Sequence, residues 1–212
     1  MQKPENQPAI HNVKNAERKK DFSFKEKAGQ IKIEKIKQKI RKARVSLEAD
    51  PADKQAKSQL VKLIGLLKDT ELKHYRLKVE NYPTDLGAKY EYAVRLYQNK
   101  EYDDAIPLFQ EAQRDPRYKI TSMNKIGSCF YMKEWFADAI DVYQQAVNSY
   151  EIQDDGIAKE LRYNLARAYE SQGDAEKALD IYRRIAQLDF GYKDVRQRID
   201  NLRKKPAEPT SQ

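Results

Sequence analysis

The chain has 212 residues, with 41 Lys+Arg against 33 Asp+Glu, a formal net charge of +8 and a mean hydropathy of −0.95. No apolar run approaches the ~18 residues of a membrane-spanning helix, and Met1 to His11 is too polar for a signal peptide, so a cytoplasmic chain with no membrane span is expected. One cysteine, Cys129, excludes an intrachain disulfide and fits a reducing compartment, and the scarcity of glycine (seven) and proline (eight) favours an all-α protein.

The charge is unevenly placed. Residues 14–48 carry thirteen basic against five acidic side chains and residues 193–205 six against two, whereas residues 49–192 carry twenty-one against twenty-four. A near-neutral body is thus flanked by two basic segments.

Residues 1–20 are polar, contain two prolines and offer little to bury, which predicts a disordered tail running into a helix. A long basic helix is expected over 21–50. Ile33, Ile36, Ile40, Ala43 and Leu47 follow 3-4-3-4 spacing and share one stripe. The stripe lasts two heptads, short of the three or four a coiled coil wants. It is expected to pack on the rest of the chain, with homo-oligomerisation through residues 31–47 as the alternative. Asp50-Pro51 closes this helix, because the residue before proline is pushed out of the helical region. Residues 51–83 then read as two helices, 52–66 and 68–81, forming a degenerate version of the pattern that follows: Tyr75 stands thirty-four positions before the aromatic Phe109, and Glu71 thirty-four before the small Ala105.

That pattern is written first at 86–118 and again at 119–152. Ala93, Leu96, Ala105, Phe109 and Ala112 recur thirty-four positions later as Gly127, Phe130, Ala139, Tyr143 and Ala146. A third copy at 158–190 is offset by thirty-nine, with Ala166, Tyr169, Ala178 and Tyr182 at the same places, so five extra residues fall in the connector around Ser149 to Ala158. A fixed period near 34 is the mark of a helix–turn–helix unit that stacks on copies of itself. The small residues let the two helices of a unit approach, and the aromatics fill the space between neighbouring units. Asp103 sits where the second helix of the first unit wants an N-cap. Residues 192–205 form a capping helix, with Val195, Ile199 and Leu202 inward and Arg196, Arg198, Arg203 and Lys204 outward, before a polar tail at 206–212.

These residues carry a resemblance. Residues 84–191 resemble the tetratricopeptide repeat family, in a bacterial-type arrangement of about three repeats, the match running through Ala88–Pro116, Met123–Ala146 and Arg162–Asp189. The tryptophan of the first helix is absent, with Lys89, Met123 and Arg162 in its place. The resemblance implies an all-α, right-handed helical solenoid whose concave groove binds a protein or peptide partner. The positions it implies for that groove are Tyr90, Val94 and Tyr97, then Asn124, Ser128 and Tyr131, then Tyr163, Arg167 and Glu170. The carboxylate clamp of one subclass would require its lysines, asparagines and arginine at Tyr90, Val94, Lys125, Glu160 and Asn164, and it is not present. Several of the tyrosines are equally readable as ordinary half-buried packing residues.

Catalytic and metal chemistry lacks a signal. His11 and His74 stand apart, no phosphate-cradling glycine loop occurs, and the acidic clusters fall at turns, where capping explains them. No cofactor and no enzymatic activity are expected, and Cys129 reads as a packing thiol. The expected function is that of a protein–protein interaction scaffold. The alternatives are a nucleic-acid or ribosome-associated adaptor acting through Lys32, Lys35, Lys39, Arg41, Lys42 and Arg44, or a fragment of a larger repeat protein. Against the first, these cations ring the helix and no exposed aromatics interleave with them for base stacking.

Overall fold

A computed structural model describes the backbone of residues 7–204 and the side chains of residues 22–204. Among the described residues there are nine α-helices and no strand: α1 (Gln7–Ala49), α2 (Lys54–Asn81), α3 (Leu86–Gln98), α4 (Tyr102–Ala112), α5 (Pro116–Met132), α6 (Phe136–Ser149), α7 (Gly156–Gln172), α8 (Ala175–Leu188) and α9 (Val195–Lys204). None is long and apolar enough to cross a membrane. The chain divides into two compact units, one ending at Arg95 and one beginning at Leu96.

In the first unit α1 and α2 form a long antiparallel hairpin. Phe22 meets Tyr82, Glu26 meets Lys78 and Lys37 meets Glu71, partners that run in opposite chain order. Asp50 accepts from the Ala52 amide, and Asp53 caps α2 through the Gln55 and Ala56 amides, so two aspartates build the corner around Pro51. Ile33, Ile36, Ile40 and Ala43 are buried, as their spacing predicts.

Two expectations change here. Helix α1 begins at Gln7, inside the segment 1–20 expected to be a disordered tail, and residues 1–6 lie outside the described residues. The two helices expected at 52–66 and 68–81 are one uninterrupted helix, α2. Nothing at the expected break stops it: no proline follows, and Gly65 does not adopt the left-handed conformation that ends helices. The Thr70 hydroxyl donates back to the Leu66 carbonyl, within the helix. Residues 51–83 are therefore one arm of a hairpin rather than a degenerate helical pair.

Glu71 occupies the place where a small residue was expected by counting back from Ala105. It is buried, and its carboxylate pairs with Lys37 of α1 at 3.2 Å and Arg95 of α3 at 3.4 Å. Arg95 also lies over the Tyr75 ring at 4.4 Å and pairs with Glu91. One acidic side chain thus ties three helices together. His74 fills the space above Gly29, where a Cβ would lie 2.5 Å from its Nδ1, and burial lowers the pKa of that imidazole.

In the second unit the sequence repeat becomes a repeated turn. The Lys100, Glu134 and Gly173 amides each donate to the carbonyl three residues back, and the next amide in each case to the carbonyl five back. Lys100, Glu134 and Gly173 all have positive φ, at 67°, 62° and 97°. This is a helix ending in a left-handed residue, which glycine adopts without strain and lysine or glutamate do not. Lys100→Gly and Glu134→Gly are therefore each expected to stabilise the chain by up to about 1 kcal/mol, and Gly173→Ala to destabilise it by about 1 kcal/mol, as urea unfolding will measure.

The second helix of the first repeat, α4, starts at Tyr102, so its N-cap is Glu101, two residues before the expected Asp103. Asp103 lies inside the first turn, where it pairs with Lys133 rather than capping. Asp115 ends one repeat and caps α5 through the Arg117 amide. The five extra residues before α7 form a loop in which the Tyr150 hydroxyl donates to Asp155, which also caps α7 through Ala158. Tyr182 and Ile185 are fully buried with Ala166, Ala178, Val195, Ile199 and Leu202. Ile185, which stands where the earlier repeats have alanine, shares this cluster with Val195, Ile199 and Leu202 of α9.

Candidate partner-binding face

The first helices of successive pairs, α5 and α7, pack side by side, and α9 continues the series after α8. Their side chains form one connected surface. The Asn164 amide of α7 donates to the Asn124 carbonyl oxygen of α5 at 2.9 Å. Tyr131 of α5 shares a 3.0 Å hydrogen bond with Ser171 of α7, and the Arg167 guanidinium lies over the Tyr131 ring at 4.6 Å. Lys125 of α5 lies over the Tyr97 ring at 5.0 Å. Ser128 shares a 3.0 Å hydrogen bond with the hydroxyl of Tyr143, which packs over Gly127. Burial holds the Tyr97 hydroxyl above the ordinary tyrosine range, and that of Tyr143 further still.

The α9 end is an ion-pair network. Arg198 pairs with Glu170 at 2.7 Å and Asp194 at 3.0 Å. The Tyr182 hydroxyl donates to the same Glu170 oxygen at 2.9 Å, and the Tyr163 hydroxyl to Asp194 at 2.6 Å. These acceptors hold Arg198 well above the usual guanidinium range despite its partial burial. Lys193 lies over the Tyr163 ring at 4.4 Å.

Seven of the nine positions implied for binding therefore lie in this second unit: Tyr97, Asn124, Ser128, Tyr131, Tyr163, Arg167 and Glu170. Tyr163 is buried and presents little beyond its edge, and Glu170 is occupied by Arg198 and Tyr182. Tyr90 and Val94 are half-buried on α3 within the first unit. Arg198 was expected on the outward face of the cap and instead points to Tyr163 and Glu170. Asp194, four residues before it, was the sequence signal for that position. Lys193 carried no signal, because it sits in the turn at 189–194, where left-handed geometry (φ 45°) aims it.

Lys32, Lys35, Lys39, Arg41, Lys42 and Arg44 are all exposed on α1, around the buried isoleucine stripe. Cys129 is fully buried, and burial pushes its thiol up to about 12, the condition of a packing residue. Among the described residues no three His, Cys, Asp or Glu side chains converge as metal ligands would.

A family model described as tetratricopeptide repeat matches residues 75–119 and 133–191. The solved structure of MamA superposes with a TM-score of 0.56 at 18% identity, covering 68% of this chain and 81% of that one. BtubC from P. vanneervenii gives 0.54 at 18% identity, covering 82% of both chains. YrrB, described as a TPR protein with an unusual peptide-binding site, gives 0.51 at 18% identity, covering 76% of this chain and 81% of that one. No curated protein matches the sequence significantly.

Proposed function

Because the chain belongs to the tetratricopeptide repeat family through residues 75–119 and 133–191, we propose that it is a non-enzymatic interaction scaffold that binds a protein or peptide partner on the face built by α5, α7 and α9. The observation that carries this reading is the run of tyrosine rings and amide side chains on neighbouring helices, Tyr97, Asn124, Tyr131 and Asn164. Such a surface offers rigid apolar area with polar edges, which is the composition of protein interfaces. YrrB, with the same fold, is described as having a peptide-binding site.

The experiment is affinity capture from native extract with the wild-type chain beside Tyr131→Ala, with nuclease added to half the samples. Tyr131 is half-buried at the surface, so its loss is expected to leave the helical circular dichroism unchanged and to weaken capture at least tenfold, about 1.4 kcal/mol. Capture that survives Tyr131→Ala and disappears with nuclease would move the function to the exposed cations of α1.

A further inference from the structure

We infer that the groove between α8 and α9 is a second docking surface, one that receives an acidic amphipathic helix of a protein partner. The groove has a volume of about 510 Å³. Its apolar lining is Ala186 of α8, Ile199 of α9 and Phe190 of the turn between them, a ring left 63% exposed. Three exposed arginines, Arg183, Arg196 and Arg203, line it as well. None of the three makes an ion pair among the described residues, whereas Arg184 and Arg198 each pair with an aspartate. Asp200 is the one acidic residue of the lining, so three positive charges stand there against one negative. The turn that displays Phe190 is held in place. Asp189 pairs with Lys159 at 2.7 Å and accepts from the Gly191 amide at 3.2 Å, and the Arg196 guanidinium lies over the Phe190 ring at 4.6 Å. An apolar anchor fixed before the partner arrives keeps the ordering cost of binding low.

The repeat itself gives the shape of the occupant. Thirty-nine positions before Arg183 and Ala186 stand Gln144 and Val147 of α6. Gln144 lines a groove with Asp180 and Ile181 of α8, and Val147 and Ile181 pack on one apolar cluster of α6 and α7. The second helix of one pair thus covers this place on the pair before it, offering an isoleucine with an aspartate beside it. Among the described residues no helix follows α9, so the corresponding place on α8 and α9 is open. A helix with an apolar stripe fits there, as in other helix-in-groove complexes, and carboxylates along its flanks meet the three arginines. A second copy of this chain, itself at +8, opposes the charge of the groove. A nucleic-acid backbone would use the arginines and leave Ala186 and Ile199 without an apolar partner. The surface is separate from the face proposed above, toward which α9 turns Arg198.

The test selects binders for the full chain from a displayed library of helical peptides that share a leucine stripe and carry Glu, Gln or Lys at random along its flanks. Enriched peptides are measured by fluorescence anisotropy against wild type, Phe190→Ser, Arg183→Gln/Arg203→Gln and Tyr131→Ala. The inference expects enrichment of glutamate and a loss of about tenfold or more with Phe190→Ser. The double arginine variant is expected to lose about as much at low salt and less at high salt. These side chains are exposed, so the melting temperature is expected to stay at the wild-type value. Tyr131→Ala is expected to leave the peptides bound, which separates failure of this groove from failure of the face proposed above. Reversal of charge in Arg183→Glu/Arg203→Glu is expected to turn the selection from glutamate to lysine. A selection that enriches no peptide, or only peptides indifferent to Phe190→Ser or to the charge reversal, would overturn the inference. A dimer in sedimentation velocity that Phe190→Ser abolishes would overturn it in favour of a second copy. Displacement of the selected peptide by a single-stranded RNA whose binding needs Arg183 and Arg203 would overturn it in favour of a phosphate backbone.

Discussion

Replacing Glu71 with alanine is expected to lower stability by about 2–4 kcal/mol, the scale on which removal of one partner from a buried ion pair acts. Glu71 and Arg95 are both largely shielded from water, whereas Lys37 is more open, which places the effect below the top of that scale. The cost comes mainly from Arg95, which keeps only Glu91 and the Tyr75 ring once the bridging carboxylate has gone. If that is the cause, removing both charges restores stability. The pair Glu71→Leu/Arg95→Met is expected to recover more than half of the loss, since an apolar pair of similar volume often matches a buried ion pair. Urea unfolding followed by far-ultraviolet circular dichroism measures all three, and a double variant no better than Glu71→Ala would exclude this account.

A single methyl group at Gly127 is expected to act in the opposite sense to a methyl group at Gly65, although both glycines lie inside helices. A Cβ at Gly127 would stand 2.7–2.9 Å from three ring carbons of Tyr143, which is buried and held by Ser128. Overpacking of this kind costs about 1–3 kcal/mol, against about 1 kcal/mol gained from better helix propensity, so Gly127→Ala is expected to destabilise by up to about 2 kcal/mol. At Gly65 a Cβ meets nothing within 4 Å, and only the propensity gain remains, about 0.5–1 kcal/mol. Trp135 is the one tryptophan of the chain and lies in the second unit, so its fluorescence reports the Gly127 substitution directly. A Gly127→Ala chain as stable as wild type would show that the Tyr143 ring has room to move.

The repeat was legible because packing of like on like demands like residues. Ala105, Ala139 and Ala178 are all fully buried, and Phe109, Tyr143 and Tyr182 fill the space beside them. The hairpin of α1 and α2 was misread because the repeat was extended backwards by counting. Tyr75 fell on an aromatic position, yet Glu71 answers to Lys37 and Arg95, and no periodic pattern announces a partner that far away in sequence. The candidate face was legible as positions but not as chemistry. Tyr163, Arg167 and Glu170 occupy equivalent-looking places, yet one is buried, one lacks a counter-charge and one is neutralised by α9. That difference depends on where Arg198 and Lys193 end up, which is decided by the turn before α9.

The central claim is that partners meet the α5–α7–α9 face, and site-specific photocrosslinking tests it most directly. A photoreactive residue at Ser128 or Tyr131 is compared in native extract with one at the exposed Gln145 of α6 and one at the exposed Lys39 of α1. The account predicts a discrete crosslinked protein from Ser128 and Tyr131 and none from Gln145 or Lys39. Crosslinks confined to Lys39, whether to protein or to nucleic acid, would contradict it.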